Sequence, residues 1–265
     1  MIVKTHGIVL RYWPYSNTSR IVSWLTPDHG RINTLIKGAQ RPRSPFLGQF
    51  DLFYTCELLF YSRDRSDLHI ARECSPQNNR KWLRENYRAA ALASYYADMI
   101  YRFSPAGEAC PALFDLLNRH LDCLQTPEIR PAYLFWYELK LMDLLGFNPG
   151  FRQCFRCHAA IDPLRPPHFF SFAQGGMICP SCAERSNVVA EPITPDVLAS
   201  LLAWQQTNSP QAVRACRHTP RQLAHIEKAL GSFIRHHLES PIESRDIALD
   251  ILRTTEKLTD PRRTP

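Results

Sequence analysis

The sequence predicts an α+β multidomain protein: a small N-terminal β-barrel followed by an α-helical domain that carries an embedded four-cysteine segment. Three observations lead there. Residues 1–75 hold five short β-rich runs broken by turn residues. From Asn79 the apolar period changes from two to near 3.6. Two C-x-x-C pairs, Cys154-Phe-Arg-Cys157 and Cys179-Pro-Ser-Cys182, stand 21 residues apart within the helical region.

The β-rich runs are residues 2–12, 19–26, 30–37, 52–61 and 67–73. Turn signals separate them: Pro14-Tyr-Ser-Asn17, Pro27-Asp-His-Gly30, Arg41-Pro-Arg-Ser-Pro45 and Arg63-Asp-Arg-Ser-Asp67. Asp64 and Asp67 in the last turn read as a solvated hairpin tip and not as a metal pair. Five short strands in this length suit a small closed barrel over residues 1–78, such as an OB-fold, with an SH3-like barrel as the rival architecture.

Helical periodicity then covers 82–103, ended by Pro105, and 111–124, ended by Pro127. A third helix is predicted over 131–145, with Gly146 at its end and Pro149 beyond. Thr194-Pro195-Asp196 and Thr219-Pro220 are helix starts, each with a capping residue and a proline at the first helical position. They precede helices that include 221–238, and a last one covers 244–252. The helical domain thus spans 79–253, interrupted by the cysteine segment at 151–189, where residues 168–172 read as a strand. Residues 254–265 are polar, end in Pro-Arg-Arg-Thr-Pro, and are predicted to be a disordered tail.

The cysteine spacing is that of a closed tetrahedral zinc site, so Zn2+ held by Cys154, Cys157, Cys179 and Cys182 is the expected cofactor. Four thiolates leave no coordination position open, so the metal would brace structure and not activate water. His158 and His168 lie nearby as substitute ligands. A zinc nucleobase deaminase needs H-x-E ahead of P-C-x-x-C. Here His225-Ile-Glu227 follows both pairs, which is the wrong order. The other five cysteines, Cys56, Cys74, Cys110, Cys123 and Cys216, read as buried reduced thiols. No signal-peptide core and no bilayer-length apolar run is present, so a cytoplasmic protein with no membrane partner is expected.

The net charge is +7. Residues 1–50 hold Lys4, Arg11, Arg20, Arg31, Lys37, Arg41 and Arg43 against a single acid, Asp28, so nearly the whole surplus lies there. Tyr12, Trp13 and Tyr15 interleave with it. Cations that pair phosphates beside rings that stack on bases are what single-stranded nucleic acid requires. The candidate contacts are Arg11, Trp13, Arg20, Arg31, Lys37, Arg41 and Arg43. The glycine of Lys37-Gly38-Ala-Gln-Arg41 is expected to admit a phosphate to the backbone. No phosphate loop, dinucleotide fingerprint or nucleophile elbow occurs, and the chain does not read as an enzyme.

Several pieces, in order, resemble the bacterial RecO family. They are Gly7-Ile-Val-Leu10, Tyr15-Ser-Asn-Thr-Ser19, Leu25-Thr26 with Gly30, and Lys37-Gly-Ala39. Further on come Glu138-Leu with Leu144-Leu-Gly146-Phe-x-Pro149, Gly175-Gly176 before the second cysteine pair, and Ser244-Arg245. The resemblance implies an OB-fold, a helical domain and an embedded zinc site. It implies binding of single- and double-stranded DNA, annealing of complementary strands coated by single-strand-binding protein (SSB), and assistance in loading RecA together with RecR. It places Arg31, Lys37, Arg41 and Arg43 on or beside the family's basic strand-turn. The chain departs from the family pattern at Asn17, where many members carry Glu. Phe135-Trp-Tyr-Glu138 lacks a preceding basic residue linked to docking of the SSB C-terminal tail, which leaves Arg130 or Lys140 for that role. An RNA-binding module built from an OB-fold and a zinc knuckle is the alternative reading.

Overall fold

Strand β2 (Arg20–Thr26) is buried almost throughout, without the alternation of a one-sided sheet. In this computed structural model, which describes residues 1–63, 66–126 and 128–256, the reason is that both of its faces are covered. Val22 and Trp24 line a barrel core, and helix α3 (Pro111–Cys123) packs on the outer face. The barrel is closed by β1 (Ile2–Pro14), β2, β3 (Gly30–Ile36), β5 (Leu68–Asn78) and β4 (Thr55–Tyr61), in that order. A register shift between Val9 and Arg11 bends β1, so its first half pairs with β4 and its second half with β2. β3 and β5 pair in parallel, and the other neighbours are antiparallel. This five-stranded closed barrel is OB-like, as expected, and excludes the SH3-like alternative. Its interior joins Val9, Val22, Ile32, Ile36 and Phe60 around Trp24, whose Nε1 donates to Thr34 Oγ1 at 2.8 Å.

The chain divides into two compact units, Met1–Glu128 and Ile129–Pro265. The first therefore adds three helices to the barrel: α1 (Trp82–Glu85), α2 (Tyr87–Phe103) and α3. The single helix expected over 82–103 is broken at Asn86. Its extended backbone interrupts the helix, and its side chain accepts from the amides of Arg88 and Ala89 to cap α2. Arg80, almost wholly buried, ties the end of β5 to α3. It donates to Asp122 Oδ1 (2.8 Å), Asn118 Oδ1 (2.7 Å), Thr55 Oγ1 (2.9 Å) and the Phe53 carbonyl.

In the second unit, helix α4 (Pro131–Leu144) is buried on nearly every side, because α6 (Pro195–Gln206), α7 (Pro210–Ala215) and α8 (Pro220–Leu238) all pack on it. Between α4 and α6 lie β6 (Gly150–Cys154), β7 (His168–Ser171), β8 (Gly176–Ile178), α5 (Pro180–Glu184) and β9 (Glu191–Ile193). The strands form one sheet in the order β6-β8-β7-β9. Only β7 was legible beforehand, since the others are too short or too polar to show a period. Thr219 caps α8 in a reciprocal capping box with Gln222. Thr194 makes no side-chain cap to the backbone, and its hydroxyl goes to Asp196 instead. Helix α9 (Glu243–Glu256) takes in residues 254–256. The rest of the expected tail, 257–265, lies outside the described residues, as do Asp64 and Pro127. All nine cysteines are free; Cys56, Cys74 and Cys110 are buried, but Cys216 is exposed, contrary to expectation.

Candidate nucleic-acid interface and metal centre

The four cysteines of the two C-x-x-C pairs converge. Cys154 ends β6, and Cys157 sits in the turn after it. That turn closes through the His158 amide on the Cys154 carbonyl, with His158 at φ +60°. Cys179 is the N-cap of α5 and Cys182 lies inside it. The Phe155 amide donates to the Met177 carbonyl (2.9 Å), which brings the two knuckles together. Gln205 at the end of α6 steadies the approach to β6 by donating to Asn148 Oδ1 and the Pro149 carbonyl, both at 2.7 Å.

All four Sγ atoms lie within 4.8 Å of one another, and Cys157 Sγ stands 3.8 Å from Cys179 Sγ. A tetrahedral ion with metal–sulfur bonds of about 2.3 Å needs sulfur–sulfur edges of about 3.8 Å. The donor set therefore suits a metal ion with no open position. Burial pushes the Cys154 thiol up, but the amides of Cys179, Cys157 and Arg156, with the Cys157 thiol, outweigh it and bring it to about 6. Cys182 is raised to about 12, first by its hydrogen bond with Cys179 and then by burial and the neighbouring thiols. Neither histidine joins the group: His158 is exposed in the turn, and buried His168 places Nε2 3.0 Å from the Pro163 carbonyl.

The structure separates the basic residues of the barrel into two sets. Arg20, Lys37, Arg41 and Arg43 gather at one end. Arg20 pairs with Ile36 across β2–β3, one residue from Lys37. The turn after β3 is held on the turn before β2 by Gln40 N to Thr18 O (2.9 Å) and Gly38 N to Ser19 Oγ (3.2 Å). The role expected for Gly38 changes accordingly. Its amide is taken by Ser19, and glycine is required because φ is +64° where the chain turns toward Arg41. Arg20 Nη1 donates to the carbonyls of Ser16 and Ser19, while Lys37, Arg41 and Arg43 project into solvent. Trp13 is half-buried beside this end, paired with Ile21. Tyr15 is 59% exposed there, whereas Tyr12 is engaged by Asp51 and Phe50.

Arg11 and Arg31 lie elsewhere, both over the ring of Tyr101 on α2, at 5.5 and 5.0 Å from its centroid. Sequence reasoning missed Tyr101, since nothing local links a helix residue to strands so far upstream. Among the described residues no carboxylate lies within salt-bridge distance of these six cations; Lys4, by contrast, is paired with Glu57 at 2.9 Å. Arg130 and Lys140, the alternatives for SSB docking, donate to the carbonyls of Arg214 and Gln205.

Family models for the N-terminal and C-terminal regions of recombination protein O match residues 1–80 and 84–246. The chain belongs to the RecO family of DNA repair proteins. The DNA repair protein RecO of Syntrophus aciditrophicus is 30% identical over 258 residues, covering 94% of this chain and 96% of the relative. That of Dehalococcoides mccartyi strain 195 is 29% identical over 238 residues, covering 89% and 90%. That of Anaeromyxobacter sp. strain K is 29% identical over 243 residues, covering 92% and 94%. The six unpaired cations fall in the RecO N-terminal region, and the four cysteines fall in the RecO C-terminal region. Tyr101 also falls in the C-terminal region, although it sits in the same compact unit as the barrel. No described helix is long and apolar enough to cross a membrane.

Proposed function

We propose that the protein is a recombination mediator that works without catalysing a reaction. It binds single- and double-stranded DNA, anneals complementary strands coated by SSB, and with RecR assists the loading of RecA. The observation that carries this reading is the set of barrel cations without acidic partners, within a RecO-family chain. Two strands repel through their phosphates. A protein that supplies cations and releases counterions lowers that repulsion, and annealing asks for no further chemistry. Lys37, Arg41 and Arg43, with Arg20, Trp13 and Tyr15 beside them, present charge and rings at one end of the barrel. The ion at the four cysteines is Zn2+, held structurally by four thiolates. The apolar, acidic C-terminal tail of SSB is a further partner, and the cytoplasmic nucleoid is the place of action.

Annealing of complementary oligonucleotides coated with SSB, at two salt concentrations, tests the proposal. Acceleration that weakens as salt rises is expected. Tight binding to structured RNA with no acceleration of DNA annealing would replace the mediator reading with an RNA-binding one.

A further inference from the structure

The small sheet of the second unit has a gap in it. β6 pairs Gly150 with Gly176 of β8 and then Cys154 with Met177, so residues 151–153 have no counterpart on β8. They are held on their other side instead, with Ile161 N donating to the Arg152 carbonyl (2.8 Å) and Cys154 N to the Ala159 carbonyl (2.9 Å). A cavity of about 600 Å³ lies at this gap. Gly150, Gly175 and Gly176 line it, and a Cβ on Gly176 would stand 3.1 Å from Phe155 Cβ. Bare backbone thus makes room for Phe155, which is half-buried and lines the cavity.

Two amide side chains form another part of the lining. Gln205 Nε2 donates both to Asn148 Oδ1 and to the Pro149 carbonyl, so its two N–H groups are used and its orientation is set. Its backbone is tied as well, since its carbonyl accepts from Lys140 Nζ at 2.6 Å. Asn148 turns its oxygen toward Gln205, which leaves its NH2 group. Among the described residues, neither Gln205 Oε1 nor Asn148 Nδ2 has a partner. The cavity is therefore offered one oriented acceptor and one oriented donor on neighbouring side chains. The edge of a nucleobase sets a donor beside an acceptor in the same way. Arg152 also lines the cavity, exposed and without a carboxylate partner among the described residues, and no acid lines it. A free guanidinium fork beside an acid-free cavity suits a phosphate.

We propose that this cavity is a nucleotide site, in which the base lies on Phe155 with its edge on Asn148 and Gln205, and the phosphate meets Arg152. A free mononucleotide and a single nucleotide of a strand share this chemistry. The site belongs to the second unit and does not rest on the mediator reading or on the barrel.

Equilibrium dialysis of AMP and of GMP against the metal-loaded full chain tests this. Binding of at least one of them is expected. Ribose 5-phosphate, which lacks the base, and the matching nucleoside, which lacks the phosphate, are each expected to bind about tenfold more weakly. Asn148→Ala, at an exposed position, is expected to weaken the nucleotide about tenfold and to leave ribose 5-phosphate unchanged. Arg152→Met, also at an exposed position, is expected to remove the advantage of nucleotide over nucleoside. An oligonucleotide that displaces the bound mononucleotide supports the site as one that takes a nucleotide of a strand. Mononucleotide binding that an oligonucleotide leaves undisturbed supports it as a site for the free ligand. No binding of either mononucleotide at millimolar concentration, or equal binding by the wild type and both variants, would overturn the nucleotide site and leave the mediator reading standing. Failure of the annealing test would overturn that reading and leave this site untouched.

Discussion

Arg245 on α9 donates to both carboxylate oxygens of Glu138 on α4, at 2.6 and 3.2 Å, and both side chains are buried. α4 is the central helix of its unit, so this two-pronged pair locks the last helix onto the core. Gly231 on α8 makes room for it, since a Cβ there would stand 2.9 Å from Arg245 Nη1.

Removing one partner strands a buried charge. Arg245→Met is expected to destabilise the protein by about 3–5 kcal/mol, read as a lower denaturant midpoint. Adding Glu138→Leu is expected to restore much of the loss, because the uncompensated carboxylate goes with it. Equal stability for the single and double variants would show that the pair's charge is not what matters. Gly231→Ala is expected to destabilise as well, by pushing Arg245 off the carboxylate.

Arg80 plays the matching part in the first unit. Burial pushes its guanidinium down, and Asp122 opposes that by charge and hydrogen bond. Arg80→Met leaves the Phe53 carbonyl, Thr55, Asn118 and Asp122 without their common donor. It is expected to cost about 3–5 kcal/mol, monitored by chemical denaturation of the full chain. Asp122→Asn, which keeps a hydrogen-bond acceptor at a half-exposed position, is expected to cost less.

The metal centre is tested by removing a ligand. Cys154→Ser is expected to lower bound zinc well below one ion per chain and to lower the melting temperature, while DNA affinity through the barrel changes little. Cobalt substituted for zinc in the wild type is expected to give the spectrum of a tetrahedral four-thiolate site. A spectrum showing nitrogen or water ligands would contradict a closed sulfur site.

Much of this architecture was legible because its signals are local. Two C-x-x-C pairs announce a metal site wherever the chain folds, and β-runs split by Pro, Gly and Asn announce a barrel. What stayed hidden depends on distance. The buried Arg80 and Arg245 look like surface cations in sequence, and only their partners, 42 and 107 residues away, explain them. Asn86 breaks a helix whose apolar period runs straight through it, because a capping side chain outweighed periodicity. The basic cluster of residues 1–50 reads as one patch in sequence. The barrel parts it into two sets, since Arg11 and Arg31 meet at a helix that the strands cannot foretell.

The salt dependence of single-stranded DNA affinity, compared between the wild type and Lys37→Ala with Arg41→Ala, tests the central claim most directly. Loss of two phosphate contacts predicts weaker binding at every sequence and a slope smaller by about 1.4. Affinity and slope equal to those of the wild type would place DNA binding away from this end of the barrel and contradict the account.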